Sequence, residues 1–115
     1  MKEYHIHIAC ADYIRLKATS DWRFRAFHHS PNGEVRDART GAKLKRMGVA
    51  RGFPDFINPI VSGRWNGFAA ELKGEGGRVS KEQRQWLDIF KSQGWATMVC
   101  FSVDEFIKFV SEYFE

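Results

Sequence analysis

Two segments decide the fold: Pro54-Asp55-Phe56-Ile57-Asn58 and Gly67-Phe68-Ala69-Ala70-Glu71-Leu72-Lys73. Their apolar residues predict a β-hairpin, with a carboxylate at the start of one strand and Glu-x-Lys at the end of the other. Side chains alternate along a strand, so Glu71 and Lys73 face one way and Leu72 the other. Pro54 lacks an N–H and suits a strand start, which places the Asp55 carboxylate at the rim of the sheet.

This hairpin brings together the side chains of a possible metal site. Asp55 and Glu71 would supply two carboxylates from neighbouring strands. Lys73 follows Glu71 by two residues, about 6.6 Å of strand, and would place its ammonium just beyond the ion. Carboxylates and water form the hard-oxygen environment that Mg²⁺ or Mn²⁺ accepts. Glu-x-Lys is a short motif that also occurs by chance, and the alternative is a half-buried strand that ends in solvated charges.

Length and composition predict a single globular domain over residues 1–115. The chain is 43% hydrophobic and 15% aromatic, which excludes a disordered protein. Cys10 and Cys100 are far apart and belong to no CxxC motif, so we expect buried thiols in a reducing compartment. With no membrane-length apolar run and no signal peptide, the predicted location is the cytoplasm of a bacterium or of a virus-infected host.

The net charge of +4 is concentrated in one part of the chain. Residues 22–51 contain only two acidic residues, Glu34 and Asp37, and the eight basic residues Arg23, Arg25, Arg36, Arg39, Lys43, Lys45, Arg46 and Arg51. This basic segment runs directly into Asp55. It favours a polyanionic partner such as nucleic acid, the alternative being a solvated helix face and loop.

The N-terminal segment predicts a helix over residues 3–18, with Ile6, Cys10, Tyr13 and Ile14 at helical spacing. Glu3 has two interpretations. Its carboxylate would complement the helix dipole in the first turn, or it would reach the metal site from the inward face.

The four histidines do not predict a zinc site. In His5-x-His7 the two rings would point about 200° apart on a helix, and adjacent His28 and His29 would face opposite sides of a strand. The last two are expected to make polar contacts, such as contacts to phosphate.

The remaining pattern predicts helices and strands in an order typical of an α/β fold. We expect a strand over residues 22–28, a turn at 30–33, a short basic helix over 38–47, a capped helix from Ser80 to about 93, a strand over 95–101 and a last helix capped by Ser102 and Glu105. Gln83 has two predicted roles, closing the capping box with Ser80 or pointing toward the metal site. Glu75 would be a spare carboxylate if the second hairpin strand continued. This order predicts a small mixed β-sheet flanked by helices.

The chain resembles the VRR-NUC domain of the PD-(D/E)XK nucleases, in particular its standalone, virus-type members. The resemblance spans about residues 28–95 and is carried by the segments Gly41–Val49, Gly52-Phe53-Pro54-Asp55, Glu71-Leu72-Lys73 and Gly77-Arg78-Val79-Ser80, followed by Gln83, Trp86 and Gly94. Phe53 departs from the smaller apolar residue that is frequent in the family.

The resemblance implies a restriction-endonuclease-like core and a metal-dependent DNA endonuclease that uses Mg²⁺ or Mn²⁺. Asp55, Glu71, the Leu72 backbone carbonyl and, less firmly, Glu3 would hold the metal. Lys73 and Gln83 would complete the catalytic set. It also implies branched DNA, such as Holliday junctions, as substrate, and a homodimer that supplies two sites.

Residues expected to bind nucleic acid are Arg36, Lys43, Lys45, Arg46, Arg51 and Arg78. The rival hypothesis is a non-catalytic nucleic-acid-binding module with a nuclease-like fold.

Overall fold

The computed structural model describes residues 2–30 and 38–115 of the chain. Within these residues the elements are α1 (Glu3–Ala18), a 3₁₀ helix (Trp22–Ala26), β1 (His28–His29), α2 (Ala38–Arg46), β2 (Phe56–Asn58), β3 (Phe68–Leu72), α3 (Lys81–Ser92), β4 (Ala96–Cys100) and α4 (Val103–Tyr113). The turn predicted at 30–33 falls largely outside the described residues, and Arg36 lies outside them as well.

The four strands form one mixed sheet in the order β1-β2-β3-β4. β2 pairs with β1 and β3 antiparallel, whereas β3 and β4 run parallel. The predicted hairpin is therefore present, with Phe56 opposite Ala70 and Asn58 opposite Phe68. The prediction of a small mixed sheet flanked by helices is confirmed.

The core lies where α1 and α4 pack together against the sheet. Ile6, Cys10 and Ile14 of α1 are buried, as their four-residue spacing predicts. From the sheet, Phe68, Ala70 and Leu72 join the same apolar cluster. Because strand side chains alternate, Ala69 and Glu71 point to the opposite face of β3. All five residues of β3 are buried, so Glu71 is an ionisable residue buried in a central strand.

The strand predicted over residues 22–28 is wrong. Residues 22–26 form a 3₁₀ helix, which Asp21 caps by accepting a hydrogen bond from the Arg23 N–H. Phe24 and Phe27 are three residues apart, and their rings lie 5.7 Å from each other in the apolar cluster and its margin. That spacing fits a 3₁₀ turn, in which residues i and i+3 share a face. Only His28 and His29 remain as a strand.

The second half of the chain follows its predicted caps closely. Ser80 and Gln83 form a complete capping box at the start of α3. At the start of α4 the arrangement differs, since the Ser102 hydroxyl caps the Glu105 N–H but the Glu105 carboxylate accepts from the Phe101 N–H. β3 ends at Leu72, so Glu75 does not lie on its strand.

No helix in the described part of the chain is both long and apolar enough to cross a membrane.

Candidate active site

The candidate site lies at the open end of the β2–β3 hairpin, opposite the loop that joins the two strands. Asp55 directly precedes β2 and is 1% exposed. Its Oδ2 accepts a hydrogen bond of 2.8 Å from the Leu72 N–H. This bond ties the Asp55 carboxylate to the last residue of β3 and so places it beside Glu71. Asp55 is thus buried within the sheet end, deeper than the rim position that the sequence predicted.

Glu71 is buried in an unusual environment for a carboxylate. It is 1% exposed, and its Oε1 accepts a 3.0 Å hydrogen bond from Gln83 Nε2. Its Oε2 is buried without a hydrogen-bond partner among the described residues. Burial, together with the neighbouring Asp55 carboxylate, raises the pKa of Glu71 far above its usual range, and Lys73 opposes this rise only partly.

Gln83 performs both of the roles that the sequence left open. Its side-chain Oε1 accepts from the Ser80 N–H at 2.8 Å and closes the capping box, while its Nε2 donates to Glu71. An amide has an acceptor at one end and a donor at the other, so one side chain can do both. The N-terminus of α3 therefore fixes the orientation of the Glu71 carboxylate.

Lys73 follows β3 and is 9% exposed. Its backbone N–H donates to the Cys100 carbonyl at 2.9 Å, which keeps it in register with β4. The turn after it lies against its aliphatic stem, because a Cβ at Gly77 would come within 3.3 Å of Lys73 Cβ and Cδ. The ammonium is near enough to Glu71 to offset part of the rise in the pKa of that carboxyl.

Glu3 and a residue that the sequence analysis did not select, His7, approach from α1. His7 Nε2 lies 3.4 Å from Glu3 Oε2 and 3.7 Å from Asp55 Oδ2. One ligand atom from each of Glu3, His7 and Asp55 lies within 4.8 Å of the others, a grouping that could hold a metal ion. The missed signal was the four-residue spacing of Glu3 and His7, which puts them on one helix face.

These residues fit a divalent cation. Two buried polar atoms, Glu71 Oε2 and His7 Nε2, have no hydrogen-bond partner in the described structure. Buried polar groups are normally paired, and buried carboxylates normally have a counter-charge. A cation beside Asp55, which neighbours Glu71 as well as Glu3 and His7, would supply a counter-charge to the acids and a partner to the His7 nitrogen. Glu3 thus lies in the first turn of α1 and also beside the other acids, so its two interpretations are compatible.

The predicted nucleic-acid-binding residues occupy the surface. Lys43, Lys45 and Arg46 are exposed on α2, and Arg51 and Arg78 are exposed in the segments before β2 and α3.

A cleft of about 560 Å³ opens beside Glu3, lined by Lys2, Glu3, Gly74, Glu75 and Gly77. Of the acids proposed as metal ligands, Glu3 lines it.

Comparisons with known proteins agree with this architecture. A solved structure described as a "VRR_NUC domain protein" superposes with a TM-score of 0.77 at 24% identity, over 98% of this chain and 88% of that one. At this identity the match shows the fold. A comparison with curated proteins gives no match. The model of the VRR-NUC domain family matches residues 2–104, nearly the whole chain, and the protein therefore belongs to the VRR-NUC domain family.

Proposed function

We propose that the protein is a Mg²⁺- or Mn²⁺-dependent endodeoxyribonuclease that hydrolyses phosphodiester bonds, selectively in branched DNA such as Holliday junctions. The observation that carries the proposal is the buried carboxyl of Glu71, which lies beside Asp55 and two residues before Lys73. One of its oxygens has no hydrogen-bond partner among the residues that the structure describes. Two carboxyl groups held together in a protein interior need a shared proton or a counter-charge, and a divalent ion would supply that counter-charge here. Membership of a nuclease-like family supports the same activity.

Asp55, Glu71, the Leu72 carbonyl and Glu3 would hold the divalent ion. When bound, it supplies Lewis-acid chemistry, drawing charge from the scissile phosphate and making water more acidic. Lys73 is held two residues beyond Glu71, where its ammonium orients the attacking water and stabilises negative charge that develops in the transition state. Gln83 is a positioning residue, because it holds the Glu71 carboxylate by a hydrogen bond.

The basic surface would hold the rest of the DNA. Lys43, Lys45, Arg46, Arg51 and Arg78 are exposed cations that can pair with phosphates flanking the scissile one. Such contacts set the position of the duplex without reading its sequence. A substrate recognised by shape, such as a four-way junction, suits contacts of this kind.

A homodimer follows from the proposed substrate. One such site cuts one strand, whereas a junction has two equivalent strands related by two-fold symmetry. Two copies of the chain would place one site on each strand. Exposed apolar side chains, including Tyr4 and Trp22, offer surface for such an assembly.

The test is a cleavage assay on four-way junction, flap and linear DNA with Mg²⁺, with Mn²⁺ and with a chelator, alongside a mass measurement in solution. We expect paired cuts in the junction with either ion, no product with the chelator, and a dimer mass. Asp55→Asn should abolish cleavage. DNA binding that is sensitive to salt, with no product under any ion, would instead identify a non-catalytic binding module.

A further inference from the structure

We propose that His7, backed by His29, supplies an imidazole nitrogen ligand to the divalent-ion site, and that this nitrogen makes the site favour Mn²⁺ over Mg²⁺. The inference rests on the proposed function, because it adds a ligand to the site that the acids form. It concerns a residue outside the Asp55, Glu71 and Lys73 set, contributed by a different element of the fold.

His7 lies beside the acids and turns a ring nitrogen toward them. Its ring sits on the inward face of α1, one turn after Glu3, and its side chain is 13% exposed. Nε2 is buried and has no hydrogen-bond partner among the described residues. The nearest charged atoms are Glu3 Oε2 at 3.4 Å and Asp55 Oδ2 at 3.7 Å. Both distances exceed an ordinary hydrogen bond, so the nitrogen faces the acids without being satisfied by them.

A contact with His29 sets the orientation of the His7 ring. His7 Nδ1 lies 2.9 Å from His29 Nε2, and the two rings meet edge to face with centroids 5.1 Å apart. His29 is fixed by the sheet, where it pairs with Phe56 of β2. If Nδ1–H of His7 donates to His29, the lone pair of His7 lies on Nε2 and points at the acids. Metal-binding histidines usually donate their second ring nitrogen in this way.

The ligand atoms are close enough for one ion to gather them. Two atoms bound to the same ion by bonds of about 2.1 Å are at most about 4.2 Å apart. The ligand atoms of Glu3, His7 and Asp55 are all within 4.8 Å of one another, so small shifts would close them around one ion. Glu71, the neighbour of Asp55, has a buried oxygen with no hydrogen-bond partner among the described residues, which independently indicates that a cation belongs beside Asp55.

The nitrogen ligand sets the metal preference. Mg²⁺ strongly prefers oxygen ligands and gives up its water reluctantly, whereas transition-metal dications accept imidazole readily. A site made of carboxylates and a carbonyl would bind Mg²⁺ and Mn²⁺ alike. The addition of His7 strengthens Mn²⁺ binding more than Mg²⁺ binding.

The competing structural explanation is that a protonated His7 serves only as a counter-charge between Glu3 and Asp55. In that case no bond joins its nitrogen to the metal. The two explanations differ in the magnetic coupling between bound Mn²⁺ and a ¹⁴N nucleus, which electron spin echo envelope modulation detects without any turnover.

The experiment uses the full chain with one equivalent of Mn²⁺ and no DNA. We expect ¹⁴N modulation in the wild type and in His5→Gln, a control on the exposed side of the same helix, and its loss in His7→Gln. Mn²⁺ affinity, measured by the EPR signal of the free ion, should fall about tenfold or more in His7→Gln. Mg²⁺ affinity, measured by competition, should fall less than about threefold. His29→Gln should keep the modulation and weaken Mn²⁺ binding.

The wild-type spectrum keeps the test valid even if His7→Gln folds poorly. Mn²⁺ bound without ¹⁴N modulation would overturn the inference, and so would modulation that persists in a folded His7→Gln. In either case cleavage of DNA with Mn²⁺ would leave the proposed function standing. Modulation in a protein that cleaves no DNA would support the nitrogen ligand and overturn the nuclease proposal.

Discussion

Lys73 is the residue whose removal should separate chemistry from binding. Its side chain is held among buried groups beside Glu71, not on the exposed basic surface. We expect Lys73→Ala to lower the cleavage rate by about 100-fold or more, because transition-state charge loses its cation. DNA affinity at low salt should change less than about threefold, since one phosphate contact among many is affected. Lys81→Ala, which removes an exposed lysine at the start of α3, is the control. Wild-type cleavage by Lys73→Ala in Mn²⁺ would contradict the assignment.

The buried carboxyl of Glu71 should make the metal-free protein sensitive to pH. Burial raises its pKa in the folded state, so the folded protein holds this proton more tightly than the unfolded chain does. The stability from this group is present below the ordinary glutamate pKa and is lost as pH rises toward the folded pKa.

Glu71→Gln removes this titration while keeping an oxygen for Gln83 to donate to. In a chelator, we expect the wild type to lose about 1–3 kcal/mol relative to Glu71→Gln between about pH 5 and pH 8.5. Denaturant unfolding at the two pH values measures the difference. Glu112→Gln, on the exposed side of α4, should follow the wild type. Parallel pH profiles for wild type and Glu71→Gln would show that Glu71 is charged at both pH values.

At the scale of elements, the loop before β2 is fitted against the N-terminus of α3 at Gly52. This glycine has φ +80°, and a Cβ there would come within 2.7 Å of Glu82 Cβ and 2.9 Å of the Gln83 N. Gly52→Ala should therefore push α3 away and displace the amide that holds Glu71. We expect a loss of about 2–4 kcal/mol in the free energy of unfolding, together with slower cleavage.

The matched control for this variant is Gly48→Ala. Gly48 also has a left-handed backbone, φ +102°, but a Cβ there would meet no described atom within 4 Å. Gly48→Ala should therefore lose only the backbone-strain contribution, about 1–2 kcal/mol of the free energy of unfolding, and should cleave DNA at the wild-type rate. Equal losses of stability in the two variants would show that the close approach to α3 is unimportant.

The helix α2 is an element with charge and no buried side chain. Lys43, Lys45 and Arg46 lie in its last turns and are exposed. Changing all three to Gln should weaken DNA binding and reduce the slope of log affinity against log salt by about 0.9 for each phosphate that the protein no longer neutralises. Fluorescence anisotropy across a salt series measures this. The control changes Lys17, Lys91 and Lys108 to Gln, and an equal fall in slope there would indicate a general charge effect.

At the scale of the whole molecule, Phe106 packs α4 against the sheet that carries the site. Its ring on α4 lies 5.6 Å from Phe56 and 6.0 Å from both Phe27 and Phe68, centroid to centroid. Phe106→Ala should cost about 3–5 kcal/mol, because removal of a fully buried ring leaves a cavity between helix and sheet. Phe101→Ala, at a ring that is 46% exposed, should cost less than about 1 kcal/mol. Thermal or denaturant unfolding compares the two, and similar losses would contradict this view of the core.

Most elements of the fold were predicted correctly from the sequence. Helix α1 and the capping box of α3 follow from periodicity and from residues within about four positions of each other. The hairpin and the mixed sheet were predicted from the apolar patterns of the single strands and the order of the elements, although their pairings join residues far apart in the chain. The error at residues 22–28 has the same origin. Alternating polar and apolar residues fit a strand, but the Asp21 cap and the three-residue spacing of Phe24 and Phe27 stabilise a 3₁₀ helix against the core.

The sequence by itself determined that Asp55 and Glu71 lie at the same end of two adjacent strands with Lys73 beyond them, because the apolar strand patterns predict the hairpin and side chains alternate along each strand. Only the tertiary structure decided that Glu3 and His7 of α1 lie beside Asp55. It also decided that Gln83 caps α3 and donates a hydrogen bond to Glu71, and that Glu71 is buried enough for its pKa to rise. These features depend on how α1 and α3 pack against the end of one hairpin. Packing joins residues far apart in the chain, and burial is set by all of them together.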